Sequence, residues 1–252
     1  PENIKVCFAN TGKEMPETLD FVRDCQEKWG VDITWLERYA KKAPEDHKNK
    51  YMYETKVVDY KTAARNGEPF MQLIKVRGIA PNPVARFCTV DLKIRAIRDF
   101  VDSIAWEMPY VGFIGIRADE QRRAAKMHGT KESGQERFLP LWLDGVTKEH
   151  IYDFWINSDF DLNLPNNNGV TDWGNCDLCF LKGHSKRMSI VRERPDLADW
   201  WIDAEASLSK DVGKAAYFRS DTPSYSDMKI IATCQDSLDF GDDESIPCFC
   251  GD

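Results

Sequence analysis

The sequence predicts an α/β fold, a parallel sheet flanked by helices, with a cysteine-bearing region at its C-terminal end. Two patterns carry that expectation. Residues 4–39 read as strand, helix, strand, the unit that generates parallel pairing. A second apolar run, residues 110–116, reads as another buried strand, with arginines just beyond its carboxyl end. A third observation marks the C-terminal region. From Asn163 to Asn175 the composition turns to Asn, Gly, Pro and Trp, and this loop delivers Cys176-Asp177-Leu178-Cys179.

The first strand is Ile4 to Ala9, whose apolar and small residues predict a buried parallel strand. It ends at Asn10-Thr11-Gly12. Gly12 permits close backbone approach to a ligand, and an ordinary βα turn explains it equally well. A helix follows over Pro16–Trp29, with Pro16 in its first turn and Gly30 as its stop. The second strand covers Asp32–Tyr39. Ligands of such a unit sit at the carboxyl ends of its strands, where Thr11 and Gly12 stand. Residues 41–85 are less regular: a charged loop or short exposed helix at 41–50, a helical turn at Tyr60–Asn66, and an irregular loop at Gly78–Pro83.

A helix then runs from Thr89 or Asp91, either of which suits a cap, to Ala105. Cys88 therefore stands at a helix N-terminus, where the dipole favours a thiolate, with Lys93, Arg95 and Arg98 adding positive charge. Tyr110 to Ile116 reads as a buried strand, and Arg117, Arg122 and Arg123 lie beyond its carboxyl end. Guanidinium forks there suit phosphate or sulfate oxygens, while solvated helix charges are the ordinary alternative. Residues 124–136 read as a polar loop, and Phe138–Leu143 as a short strand. Thr147 caps a further helix, with His150 in its first turn as a capping or surface residue. Helices are expected at Ser185–Glu193 and Asp196–Leu208, with Trp200-Trp201 as packing. The segment 209–252 is polar and carries Cys248-Phe249-Cys250.

Composition narrows the function classes. The chain has 252 residues, 42% of them hydrophobic, with eight Trp and thirteen Phe, enough for a substantial core. A net charge of -8 argues against direct nucleic-acid binding without a partner. No apolar stretch is long enough to span a membrane, and none resembles a secretory signal. Eight cysteines, unevenly scattered, suit a reducing cytoplasm with metal or redox use better than a disulfide framework. Two thiolates in C-x-x-C spacing grip one metal or one iron–sulfur cluster; the spacing leaves zinc and iron–sulfur equally open. Cys88 and the Cys248/Cys250 pair are the available partners. Cys7, Cys25 and Cys234 read as packing thiols.

Several segments together resemble one family. Phe8-Ala9-Asn10-Thr11-Gly12-Lys13-Glu14, Cys88-Thr89-Val90-Asp91-Leu92-Lys93, Gly115-Ile116-Arg117-Ala118-Asp119-Glu120 and Leu139-Pro140-Leu141 are similar, in order, to the phosphoadenosine-phosphosulfate (PAPS) reductase family. That family belongs to the N-type ATP pyrophosphatase-like, adenine-nucleotide α-hydrolase-like folds, and the likeness runs through about residues 4–190. The cysteines match the cluster-bearing branch, which includes adenylylsulfate reductases and bacterial and phage proteins. The resemblance implies a [4Fe-4S] cluster, rather than zinc, on Cys88, Cys176, Cys179 and either Cys250 or Cys248. It implies residues 1–160 as a Rossmann-like nucleotide domain and 161–252 as a cluster-binding region packed on it. It places Thr11 and Gly12 against the adenosine of ATP, PAPS or adenylylsulfate, and Arg117, Arg122, Arg123 and Lys93 on phosphate or sulfate oxygens.

The resemblance also implies a catalytic thiol, Cys248 or Cys250, a thiol electron donor such as thioredoxin, and compatibility with a homodimer. The family's Glu-Cys-Gly-Leu-His tail is lacking, and its Ser-Gly-Gly-x-x-Ser phosphate loop does not precede the first strand. A chain trimmed at its start is the expectation. An ATP-dependent sulfur transferase, of the nucleic-acid thiolation or phosphorothioation type, and a non-enzymatic metal-stabilised module are the alternatives to a reductase.

Overall fold

A computed structural model describes residues 4–105, 109–127, 136–212 and 217–234. The chain opens with β1, Val6–Ala9, which feeds α1, Pro16–Trp29. Pro16 occupies the first turn of α1, and Gly30, with φ 61°, closes it by donating its N–H to the Gln26 carbonyl. β2, Ile33–Lys42, pairs parallel with β1 in the register Phe8 to Trp35. The strand–helix–strand reading of residues 4–39 stands as a right start to an α/β fold.

Two elements in residues 41–85 correct the expectation of irregular structure. β3, Tyr51–Val58, returns antiparallel along β2, so the three-stranded sheet, in order β1-β2-β3, is mixed. α2, Glu68–Arg77, packs Phe70, Leu73 and Ile74 into the core. A turn at residues 60–62 sits between them, as expected. β1 is an edge strand of this sheet, so Ile4 and Val6 are exposed and only Ala9 of its residues is buried.

The next helix begins at Phe87 and runs without a break through α3 (Phe87–Thr89), a π-helical stretch (Val90–Ile94) and α4 (Arg95–Ile104). Arg86 precedes it, so neither Thr89 nor Asp91 is the cap. Asp91 is wholly buried inside the π-helical stretch. Arg95 reaches it at 2.7 Å, Tyr53 donates to it at 3.3 Å, and Arg77 pairs with it as well. Helix interiors bury a carboxylate only when it is compensated this way.

β4, Val111–Phe113, and β5, Glu136–Phe138, form a separate parallel pair. Val111 and Phe113 are exposed, so this strand is not the buried one expected, although Ile116 just beyond it is fully buried. The segment expected as a strand at 138–143 is the end of β5 followed by a short helix, α6, Pro140–Leu143, since Pro140 fixes a helical first turn. α5, Gln121–Met127, follows the Arg117 turn. α7, Lys148–Ile156, starts at Thr147, whose backbone N–H donates to His150 Nδ1 at 3.1 Å, the capping role assigned to His150.

α8, His184–Glu193, and α9, Ala198–Val212, lie where helices were expected, and α10, Tyr225–Cys234, adds one in the segment read only as polar. Cys25 is buried as a packing thiol, whereas Cys234, at the end of α10, is exposed. The largest core joins Phe70, Leu73 and Ile74 of α2 to Leu178, Phe180, Trp201 and Phe218 from the C-terminal third. Among the described residues no helix is long and apolar enough to cross a membrane.

Candidate functional site

The site grows from the turn after β1. Glu37, buried on β2, accepts from the Asn10 side chain at 2.7 Å and from the Ala64 N–H at 2.6 Å, fixing where β1 ends. Thr11 donates its hydroxyl to the Glu14 carboxylate at 2.9 Å, and its backbone N–H donates to the same group at 3.0 Å. The turn is thereby closed on itself, with Thr11, Lys13 and Glu14 all buried. Gly12 adopts φ +77°, and a Cβ there would stand 2.9 Å from the Gly67 nitrogen. The close approach that Gly12 permits is to Gly67, whose N–H donates to the Gly12 carbonyl at 2.8 Å.

Onto this turn docks the C-x-x-C loop. Glu14 and Cys176 form an antiparallel bridge, and the Asp177 N–H donates to the Lys13 carbonyl at 2.8 Å. Asp177 then receives Lys13 Nζ at 2.7 Å and the Trp201 indole N–H at 2.8 Å. Lys182 Nζ donates to the Asp177 carbonyl at 2.8 Å, and the Tyr225 hydroxyl to the Leu178 carbonyl at 2.6 Å. The buried loop is paired both within itself, the Cys179 N–H donating to the Cys176 carbonyl, and by partners from the first turn, α9 and α10.

Cys176, Cys179 and Cys88 line one small cavity together with Thr11, Lys93 and Phe180. The Thr11 hydroxyl oxygen lies 3.6 Å from Cys176 Sγ. Lys93, on the π-helical stretch after Cys88, faces Glu14 at 3.4 Å and belongs to this cavity. Burial pushes the Cys88 thiol up to about 12, with Cys179 adding to the rise. Cys176 is held well above the ordinary thiol range by burial first and Glu14 second. Lys182 is lowered by burial, against the opposing pull of Cys179, Cys176 and Asp177. Cys88 and Cys176 are thereby held as thiols, and metal binding to them would release their protons.

Among the described residues no group of three or more His, Cys, Asp or Glu side chains is placed to hold a metal ion. Soft thiolate donors suit zinc and iron–sulfur groups alike. The donor set suits a polynuclear group by its chemistry: soft sulfurs, walled by buried apolar residues, with a hydroxyl and two lysines nearby. Cys248 and Cys250 lie outside the described residues.

The arginines occupy other surroundings. Arg117 pairs with Asp119 at 2.9 Å and faces Glu120 at 3.7 Å, and Arg123 pairs with Glu120 at 2.5 Å. Arg122 is exposed. This segment packs on its own small core of Ile116, Ala124, Met127 and Leu139. Thr11 and Lys93 are thus brought to the cysteines, while Arg117, Arg122 and Arg123 form a separate, partly neutralised group. Lys13, Glu14 and Asp177 are the site residues that sequence reading passed over. Their signal was faint: a Lys-Glu pair after Thr11-Gly12 and an acid between the two cysteines.

The mixed α/β sheets and flanking helices place the chain in the Rossmann-like class of α/β domains, with its first βα turn walling a buried cysteine cavity. The chain belongs to the phosphoadenosine phosphosulfate reductase domain family, whose model matches residues 1–164. Cys88 lies within the matched segment, and Cys176 and Cys179 lie beyond it. An uncharacterized nin region protein of Escherichia phage lambda is 28% identical over 185 residues, which cover 73% of this chain and 59% of that protein. An uncharacterized protein of Methanocaldococcus jannaschii is 24% identical over 204 residues, 79% of this chain and 35% of that one. The chain therefore spans well under two thirds of either relative. No solved structure matches.

Proposed function

We propose that the chain is a PAPS or adenylylsulfate reductase-like enzyme, with a [4Fe-4S] cluster on Cys88, Cys176, Cys179 and either Cys248 or Cys250. The observation that carries this reading is the convergence of three thiols from two distant chain segments on one cavity walled by the turn after β1. Family membership supplies the sulfur and nucleotide chemistry. In this reading residues 1–160 bind the nucleotide and 161–252 complete the cluster region.

A cluster would be held by Cys88, Cys176, Cys179 and one tail cysteine, and would supply a redox-active, electron-rich centre at this cavity. Of the chain's own groups, Thr11 and Lys93 flank the sulfurs, and Lys13 with Asp177 holds the loop in register. The thiol of the tail cysteine not used as a ligand attacks the sulfonate sulfur as thiolate. The S–O bond to the nucleotide phosphate breaks, and the nucleotide leaves with that electron pair. The resulting thiosulfonate is attacked at its thiol sulfur by a thiolate of a thioredoxin-type dithiol, releasing sulfite and forming a mixed disulfide. The second thiolate of the dithiol resolves that disulfide, so the donor's two electrons balance the reduction.

The test begins with anaerobically purified protein. About four irons and four sulfides per chain are expected, and Cys176→Ser should abolish both with the visible absorbance. Sulfite release from PAPS or adenylylsulfate with a dithiol donor is then the expected activity. Iron without sulfite, but with pyrophosphate released from ATP, would transfer the assignment to the sulfur transferases. One zinc and no iron would overturn the cluster.

A further inference from the structure

A second cavity, of about 440 Å³, lies between α1, α7 and the loop 161–171, lined among others by Phe21, Tyr152, Trp155 and Asp161. Its size falls within the range of small-molecule sites, and it shares no lining residue with the cysteine cavity. The loop that closes it is a built structure. Asn163, Asn168 and Gly169 all adopt left-handed backbone, with φ of 56°, 49° and 74°. Asn167 and Val170 exchange backbone hydrogen bonds at 2.8 and 3.0 Å, and Asn166 accepts from the Gly169 N–H at 3.1 Å. A Cβ on Gly169 would stand 2.8 Å from the Tyr152 ring, so the loop is fitted to α7 as closely as glycine allows. The left-handed backbone costs of order 1 kcal/mol at Asn163 and at Asn168 and nothing at Gly169, and such strained non-glycine residues collect around functional sites.

The lining also states what charge it accepts. Among the described residues it is lined by no Lys, Arg or His, and Asp161 is the one charged member. Asp161 is exposed and makes no hydrogen bond or ion pair among the described residues. Aromatic faces present negative charge and attract cations. The adjoining aromatic cluster already holds one ammonium in this manner. Lys28 Nζ sits 5.1 Å over Phe160 and 2.6 Å from Asp159, and Phe160 packs 5.6 Å from Trp155. The cavity repeats that combination of carboxylate and aromatic rings with no cation of the protein's own.

We propose that this cavity binds a small organic cation, an ammonium-type group on an apolar or aromatic body, with its charge at Asp161 and its body against Tyr152 and Trp155. A phosphate or sulfate ester does not suit it. The inference is independent of the cysteine site's chemistry.

Benzyltrimethylammonium is the probe, titrated calorimetrically into the full chain beside benzyl alcohol and benzoate. The cation is expected to bind, the neutral comparator to bind at least tenfold more weakly, and benzoate not to bind. Asp161→Asn, at an exposed position whose side chain bonds to nothing, should leave the melting curve unchanged and weaken the cation roughly tenfold. Saturation transfer from protein to probe should fall in Trp155→Leu, with folding checked by circular dichroism. No binding of the cation at millimolar concentration, equal binding of all three probes, or an unchanged affinity in Asp161→Asn would each overturn the assignment.

Discussion

Asp177 is the residue on which the cysteine site turns. It lies between the two cysteines of C-x-x-C, is 4% exposed, and is met by Lys13 and by the Trp201 indole. Lys13 is buried as well, with its ammonium 5.0 Å over the Trp200 ring. Burying both charges is tolerable because each compensates the other, and removing one strands its partner. Lys13→Met is therefore expected to destabilise the protein by about 3 kcal/mol in urea unfolding. Lys13→Met/Asp177→Asn should lose clearly less than the sum of the two single changes. A loss below about 0.5 kcal/mol for Lys13→Met would show the pair to be incidental. That Cys176 and Cys179 would gather with Cys88 was legible in the sequence, since a C-x-x-C in polar company needs a partner, and His150 was legible as a cap by its place after Thr147. The Lys13–Asp177 pair was not legible. Its members lie more than 160 residues apart, and nothing local in either segment specifies the other.

At the scale of elements, β1, α1 and β2 could be read because strand and helix periodicities alternate cleanly and Pro16 and Gly30 punctuate them. α2 was hidden for a physical reason. It begins after Gly67 in left-handed backbone, with no side-chain cap on its first N–H groups, and its start is held by Glu68 accepting from the Asn66 N–H at 3.0 Å together with its tertiary contacts. β3 was hidden because Glu54 and Lys56 face solvent from an edge strand that is only partly buried. The arginine segment was legible as a charged stretch beyond a strand, but not its neutralisation by Asp119 and Glu120, which recruit Arg117 and Arg123 within one turn of chain. Gly67 itself joins three elements. A Cβ on it would stand 2.5 Å from Trp200 Nε1 and 2.8 Å from Lys13 Cδ, at φ +73°. Gly67→Ala should cost about 2 kcal/mol or more and lower the melting temperature by several degrees. Gly78→Ala, which has the same left-handed backbone but open space around it, should cost less. Equal losses in the two variants would mean that backbone conformation alone, and not the contact with Trp200, sets the effect.

The largest core runs from Met15 and Phe70 to Trp201 and Met228, joining part of the family segment to the C-terminal third. Glu205, on α9, sits where that core meets α10. Its two carboxylate oxygens accept the Phe218 and Tyr225 backbone N–H groups at 3.2 Å each, while burial raises its acid constant from the ordinary 4.5 to about 7. Between those two values the folded protein holds a proton that the unfolded chain has lost. Stability from this group is thus complete below about pH 4.5 and drains away as pH rises towards 7, by at most about 3 kcal/mol. Carboxylates that move the other way, such as Asp221, which Arg219 holds at about 2, titrate below this window and do not mask the effect. The urea midpoint should accordingly fall from pH 5 to pH 7.5. Glu205→Gln removes the titration but turns an amide N–H towards a backbone N–H, so it should be less stable at pH 5 and nearly flat across the range. A midpoint that rises with pH in the wild type would place the proton elsewhere. An equal slope in Glu205→Gln would do the same, and would leave Glu205 ionised and held by its two backbone donors throughout.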